Sequence, residues 1–299
     1  MGRGGYRRVM TEQHPESDVN IERAASSFGS LADENRIAIL LALWESGPLS
    51  FAELQSAAGF DDSGHFNYHL DKLMDRFVQK GDGEYRLRTP GASAIDVVFD
   101  ERFGESPPSV DIDLDATCPE CGAGLHASYD DGRVVIGCRD CPVDVNLGYF
   151  PPRGRLERDP TEFFEAYARQ TWREFTLARE GVCPHCSGRM ETSIDVDPDW
   201  HLQYPAMSNC QNCQVRIGTT IGVRLLTDPA VVGFLHDHDE YVDGRPFWEF
   251  EFCIDDSDAW VESDDPLRVV VPISFGDEML RVTVDEQARV VETARVTRR

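Results

Sequence analysis

Eight of the nine cysteines stand in four Cys-x-x-Cys pairs: Cys118 and Cys121, Cys138 and Cys141, Cys183 and Cys186, Cys210 and Cys213. A Cys-x-x-Cys turn offers two thiolates to one ion, so a tetrahedral four-sulfur shell takes two such turns. Sixteen residues separate Cys121 from Cys138, and 23 separate Cys186 from Cys210. The first interval reads as a strand, a turn at Asp130-Asp131-Gly132 and a second strand. The second interval repeats this with a turn at Asp197-Pro198-Asp199. Two knuckles flanking a hairpin make a zinc ribbon, so the spacing predicts two structural Zn2+ sites. Iron in the same shell stays open, because Cys-Pro-x-Cys-Gly at 118–122 suits it. Four thiolates leave no open coordination position, which makes the expected role structural rather than catalytic.

Other uses of these thiols fit less well. A redox Cys-x-x-Cys needs a strand-helix context that is missing here. Disulfides suit an oxidising compartment, and nothing in the chain points to one. No run approaches the ~18 apolar residues of a membrane helix, and no apolar segment follows the basic stretch 1–9. The chain is therefore read as cytoplasmic. The ninth cysteine, Cys253, sits in a strand-like alternation and is expected to be a small buried or half-buried residue. The run His236-Asp237-His238-Asp239 is expected to be solvated surface.

The segments downstream of the two cysteine groups also look alike. Asp159-Pro160 opens a helical pattern through Phe163, Phe164 and Tyr167, then Trp172-Arg173-Glu174-Phe175. Asp228-Pro229 opens one through Val231, Phe234 and Leu235, then Phe247-Trp248-Glu249-Phe250. The repetition predicts an internal duplication of ribbon plus helix.

Ahead of the cysteines the patterning changes. Ile21, Ala24, Ala25 and Phe28 have helical spacing. Asp33 precedes a second, strongly apolar helix ended by Gly47-Pro48. Ser50 and Glu53 form a capping box for a short third helix. Ser63 is expected to cap a fourth, with Phe66, Leu70, Leu73 and Met74 on one face. Two short helices joined by a Gly-containing turn read as a helix-turn-helix. Asp82-Gly83 between two short alternating runs signals a hairpin, and 91–99 a closing helix.

Three stretches here resemble winged helix-turn-helix regulators of the ArsR type: Leu31-Ala32-Asp33-Glu34-Asn35-Arg36-Ile37-Ala38-Ile39-Leu40, Gly47-Pro48-Leu49-Ser50-Phe51-Ala52-Glu53-Leu54, and His69-Leu70-Asp71-Lys72-Leu73. The resemblance covers about a quarter of the chain. It is nearest to multi-domain members of halophilic archaea that append zinc-ribbon modules. It implies a transcriptional regulator, dimeric through the first and last helices of the domain. It does not imply the Cys-based metal sensing of some relatives, since no cysteine precedes Cys118.

On the fourth helix, His65 and Asn67 are the candidates to read base edges, Ser63 and Tyr68 to hold phosphates, with Lys72 beside them. The hairpin adds Lys80, Arg86 and Arg88. Residues 72–90 hold five basic side chains (Lys72, Arg76, Lys80, Arg86, Arg88) against three acidic (Asp75, Asp82, Glu84), a net of +2 in a chain of net charge −25. Acidic residues number 54 against 29 basic, and only Lys72 and Lys80 are lysines. Such a composition is that of a protein kept soluble in concentrated salt. At about 1 M salt the Debye length is ~3 Å, so the remote acidic residues hardly repel a phosphate. Phosphate contacts also gain little there from counterion release, so recognition must lean on base edges and dimerisation.

The expected fold class is α+β: an N-terminal winged helix-turn-helix, then two duplicated four-cysteine zinc-ribbon plus helix modules and a C-terminal β-hairpin. The boundaries are a disordered arm over 1–17, the DNA-binding domain over 18–100 and a linker over 101–115. The first ribbon plus helix spans 116–182, and the second, with the hairpin and a frayed tail, 183–299. The expected function is a sequence-specific DNA-binding transcriptional regulator, with double-stranded DNA, a second copy and a protein partner for the ribbons. The alternative is an adaptor that contacts the transcription machinery without an operator of its own. No phosphate-cradling loop, nucleophile elbow or carboxylate-histidine spacing points to an enzyme.

Overall fold

The computed structural model describes residues 20–100, 104, 106–196, 202–213 and 215–297. The arm over 1–17 and the turn at Asp197-Pro198-Asp199 lie outside them. The chain forms two compact units, divided between Phe99 and Asp100.

Among the described residues the first unit holds five helices and one hairpin. Helix α1 (Ile21–Leu31) is capped by Asn20, whose side chain accepts from the Arg23 amide. Helix α2 (Glu34–Ser46) is capped by Asp33 and stopped by Gly47 at φ 76°, a left-handed value that glycine adopts freely. The Ser50/Glu53 capping box starts α3 (Phe51–Ala57). Helix α4 (Ser63–Leu73) starts one residue earlier than expected: Asp62, not Ser63, is its cap and accepts from the His65 amide at 2.6 Å. Ser63 is already helical, and its hydroxyl donates to Gln55 Oε1 at 2.9 Å. Strands β1 (Val78–Gly81) and β2 (Glu84–Leu87) pair antiparallel around Asp82 and Gly83, both with positive φ, as a two-residue hairpin turn requires. Leu49 exchanges two backbone hydrogen bonds with Tyr85, tying the hairpin to the start of α3. Helix α5 (Thr89–Phe99) closes the unit. One core of Ile39, Leu40, Leu43, Leu54, Phe66, Leu70, Leu73, Phe77, Val78, Tyr85 and Ile95 joins these elements.

Among the described residues the second unit carries three antiparallel sheets. The first, in the order β3 (Val110–Thr117), β4 (Gly124–Asp130), β5 (Arg133–Cys138) and β6 (Asp144–Tyr149), is a simple meander. Strand β3 corrects the linker expected over 101–115. Val110, Ile112 and Leu114 alternate with Asp111, Asp113 and Asp115, and the apolar set packs on the core. Helices α6 (Pro152–Leu156) and α7 (Pro160–Arg179) come next. Helix α7 lays Phe163, Phe164 and Tyr167 on the sheet, with the Phe163 ring 5.1 Å from both Tyr129 and Phe150.

The second sheet, β7 (Met190–Ile194), β8 (Ala206–Cys210) and β9 (Arg216–Thr219), leads into α8 (Ile221–Leu225) and α9 (Pro229–Asp237). Two short 3-10 turns, Phe247–Glu249 and Glu251–Cys253, then precede the last sheet. That sheet has four strands rather than the expected two: β10 (Trp260–Asp264), β11 (Leu267–Phe275), β12 (Glu278–Val284) and β13 (Val290–Thr297), in that order. Strand β13 occupies most of the expected frayed tail. Its register on β12 runs from Glu278 opposite Thr297 to Val284 opposite Val290.

One continuous core runs from Cys118 to Ala288 and takes in Phe163, Tyr167, Phe234, Trp248, Val269 and Val282. Residues on both sides of the boundary expected at 182/183 contribute to this core, while Ala178, Cys183 and Met190 form a separate small cluster. Among the described residues no helix is long and apolar enough to cross a membrane.

Candidate metal centres and polar surface

Cys118–Cys121 turns between β3 and β4, and Cys138–Cys141 between β5 and β6, so the register of the meander sets both knuckles at one end of the sheet. The four sulfurs lie within 4.8 Å of one another, and so do those of Cys183, Cys186, Cys210 and Cys213. The closest pairs are 3.5 Å apart in the first group and 3.6 Å in the second. Four thiolates about 2.3 Å from one ion stand about 3.7–3.8 Å apart, whereas a disulfide would bring sulfurs to about 2.05 Å. Both groups fit a single metal ion such as zinc.

The two groups match bond by bond. The Cys118 amide donates to Ala123 O at 2.7 Å, and that of Cys183 to Gly188 O at 2.8 Å. The Cys138 amide donates to Val143 O at 2.9 Å, as that of Cys210 does to Val215 O. Leu125 stands opposite Cys138 and Met190 opposite Cys210. In both groups the first cysteine is buried and the second exposed.

The electrostatics match as well. Burial opposes ionisation of Cys138, but the amides of Asp140 and Cys141 and the neighbouring thiols bring it down to about 7. At Cys210 the Asn212 amide leads, with the Cys213 amide and nearby thiols beside it, and the value falls to about 6. The last thiol of each group goes the other way. At Cys141 the Val143 amide lowers it, yet burial and the other three thiols push it up to about 12. At Cys213 burial leads and the value is again about 12. One thiol in each group is thus brought toward ionisation near neutrality, and a bound cation would displace the proton of the last.

The duplication extends past the ribbons, but not as far as expected. Each is succeeded by a five-residue helix, α6 or α8, and then by a helix with proline at its first position and an aspartate cap, Asp159 or Asp228. The Trp172 to Phe175 stretch then continues α7, whereas Phe247 to Glu249 form a 3-10 turn, with Phe250 extended after it, well after α9 has ended. The two aromatic stretches are not equivalent in space.

A family model described as a domain of unknown function (DUF7351) matches residues 115–290, more than half of the chain. The chain belongs to this family. The match opens just before the first cysteine pair and closes on the first residue of β13, so both groups fall within one family unit. A second model, also a domain of unknown function (DUF7347), matches residues 24–98. No curated protein and no solved structure matches the chain.

In the first unit, the polar candidates of α4 and the hairpin differ in their surroundings. On α4, Ser63, His65, Asn67, Tyr68 and Lys72 are all exposed. Asn67 donates to Asp71 Oδ2 at 3.0 Å, and Lys72 Nζ lies 5.6 Å from the Tyr68 ring centroid. On the hairpin, Lys80 Nζ lies 4.9 Å from the Tyr85 ring, and Arg88 is exposed. Arg86 is half-buried, 4.0 Å from Asp82, and packs back toward Gly81. His69 is singled out in the sequence only within the stretch His69-Leu70-Asp71-Lys72-Leu73. It is in fact buried, with Nε2 3.0 Å from that of His65.

Cys253 and His238 part ways. Cys253 is 2% exposed and burial pushes its thiol well up, as expected of an inert residue, although it lies in a 3-10 turn rather than a strand. His238 stacks on Phe275 at 5.1 Å and is half-buried rather than freely solvated.

Proposed function

We propose that the protein is a sequence-specific DNA-binding transcriptional regulator whose first unit is a winged helix-turn-helix and whose cysteine groups hold structural zinc. The observation that carries this reading is the exposed polar face of α4. Asn67, Tyr68 and Lys72 lie on it, with Lys80 and Arg88 on the following hairpin, in a chain otherwise strongly acidic. In this reading α4 enters the major groove and the hairpin rests on the backbone. Dimerisation is supported by apolar side chains that the first unit leaves uncovered: Ile21 and Phe28 on α1 are 77% and 74% exposed, and Val98 and Phe99 on α5 are also exposed. A two-fold dimer reads half-sites about one helical turn apart.

The ribbons then act as staples. Each closes a small β-module around a metal and joins it to the shared core, and four thiolates leave no position for catalysis. Two zinc ions per chain are expected by mass spectrometry, and a count well below two overturns the zinc assignment.

Gel shifts with genomic fragments in molar KCl test the DNA reading. Discrete shifted species that a specific competitor removes are expected. Binding indifferent to sequence, or none, sinks it. Chromatin immunoprecipitation separates regulator from adaptor: discrete palindromic peaks belong to the first, and peaks at most promoters to the second.

A further inference from the structure

His65 and His69 stand one turn apart on α4, with Nε2 atoms 3.0 Å apart and ring planes at 86°. Residues at i and i+4 are neighbours on a helix surface, so the backbone itself brings the rings together. Two imidazole nitrogens about 2.1 Å from one ion lie about 3.0 Å apart in adjacent square or octahedral positions, and about 3.4 Å apart in a tetrahedron. The observed spacing is the former.

The surroundings of the pair are graded. His69 is 5% exposed and held between the rings of Phe60, at 6.0 Å, and Tyr68, at 5.1 Å. Its buried Nδ1 makes no hydrogen bond of good geometry and lies 3.4 Å from Asp33 Oδ1. Asp33 is itself fixed by the Asn35 amide at 3.0 Å and by Arg36 at 3.6 Å. A carboxylate behind a ligating imidazole sets its tautomer and orientation. His65 is exposed, so the outer side of the pair faces solvent. Among the described residues no third cysteine, histidine or carboxylate offers a ligand atom within 4.8 Å of both rings' nitrogens together.

We propose that His65 and His69 form a two-histidine site for a divalent transition ion that takes adjacent nitrogen ligands, such as Ni2+ or Cu2+, with Asp33 orienting His69 and water completing the shell. Without the ion, His65 Nε2–H donates to His69 Nε2, and His69 keeps its own proton on Nδ1, facing Asp33. With it, the His65 proton moves to Nδ1 and both Nε2 lone pairs go to the metal, so no net proton is released. The site stands apart from the closed thiolate groups and does not depend on α4 reading DNA.

The test titrates the full-length holoprotein as isolated with Ni2+, followed by calorimetry, in a His236→Gln/His238→Gln background. One Ni2+ per chain is expected, weakened at least tenfold by His65→Gln, with the Nε2 resonances of His65 and His69 selectively broadened in 15N NMR. His65 is exposed and a glutamine amide can still donate to His69, so a melting temperature close to the parent's separates lost binding from lost fold. Asp33→Asn keeps a good helix cap and removes only the charge, and it is expected to weaken Ni2+ roughly tenfold. Equal Ni2+ uptake in His65→Gln, or broadening at other histidines alone, overturns the proposal and leaves the pair a plain imidazole–imidazole hydrogen bond.

Discussion

Ser187 stands in the second cysteine group where Gly122 stands in the first. Each amide donates to the carbonyl of the group's first cysteine, Gly122 to Cys118 at 3.0 Å and Ser187 to Cys183 at 2.9 Å. Both residues have left-handed backbone, φ 75° and 57°. The turn around the metal therefore demands positive φ, and a small polar residue meets the demand at moderate cost. A Cβ at Gly122 meets no atom within 4 Å, so only the backbone decides the effect of a substitution. Gly122→Ser is expected to cost about 1 kcal/mol, and Gly122→Val about 2 kcal/mol or more, since a β-branched residue suits this region poorly. Thermal melts with metal content measured in parallel check this: both variants should keep their metal.

The two metal groups differ in what they hold up. Cys118 belongs to the large core, with Cys138 and Cys141 packed on it, whereas Cys183 belongs to a small cluster with Ala178 and Met190. Cys141→Ser and Cys213→Ser should each release one metal ion. Hydrogen exchange should then rise across the whole second unit in the first variant, and in the second mainly over β7, β8 and β9.

Glu174, on α7, is partly buried, and that burial raises its carboxyl above the ordinary range despite the Gln170 amide and Arg173. A raised carboxyl means that the folded chain holds the proton more tightly than the unfolded one. Its contribution to stability is present below the ordinary carboxylate pKa and lost as pH rises through the folded value. Glu174→Gln cannot ionise, so it should melt higher than the parent at pH 8, by about 1–2 °C for ~0.5 kcal/mol. The gap should close toward pH 5.

Gly222 lies where α8 meets the 3-10 turn at Glu251–Cys253, and a Cβ there would fall on the Phe252 carbonyl. The obstruction is backbone and cannot swing aside. Gly222→Ala is expected to destabilise the second unit by ~2 kcal/mol or more, lowering Tm by about 4 °C or more. A melt within about 1 °C of the parent would contradict this packing.

Lys80 and Arg88 serve the DNA reading as phosphate contacts. Charge reversal at either should weaken binding about equally for all sequences and flatten the salt dependence by roughly one phosphate's worth per contact. Asn67→Ala should instead blur sequence preference, at about 1–3 kcal/mol for the base concerned. Competition binding over a salt series distinguishes the two behaviours.

Local signals are legible wherever neighbours along the chain do the work. The cysteine spacing places both metal groups, because two residues between thiols let one turn present both. The Ser50/Glu53 box, the Gly47 stop and the Asp82-Gly83 turn are equally plain, since each is settled within four residues. Charge content misleads at β3. Asp111, Asp113 and Asp115 read as linker, although the apolar residues between them mark a strand whose acidic side chains face away from the core.

The sequence by itself determined which cysteines pair with which, and where most of the longer helices begin. Those choices rest on backbone geometry and ligand chemistry within a short stretch. Only the tertiary structure decided that the first ribbon, the helices after both ribbons and the last sheet share one core, that Val290–Thr297 forms an edge strand on β12, and that Asp33 stands behind the pair of His65 and His69. These depend on burial shared between elements far apart in sequence, and no local spacing encodes it. Two ribbons that look like separate modules along the chain fall in one compact unit because the helices and strands that follow them bury their apolar residues together.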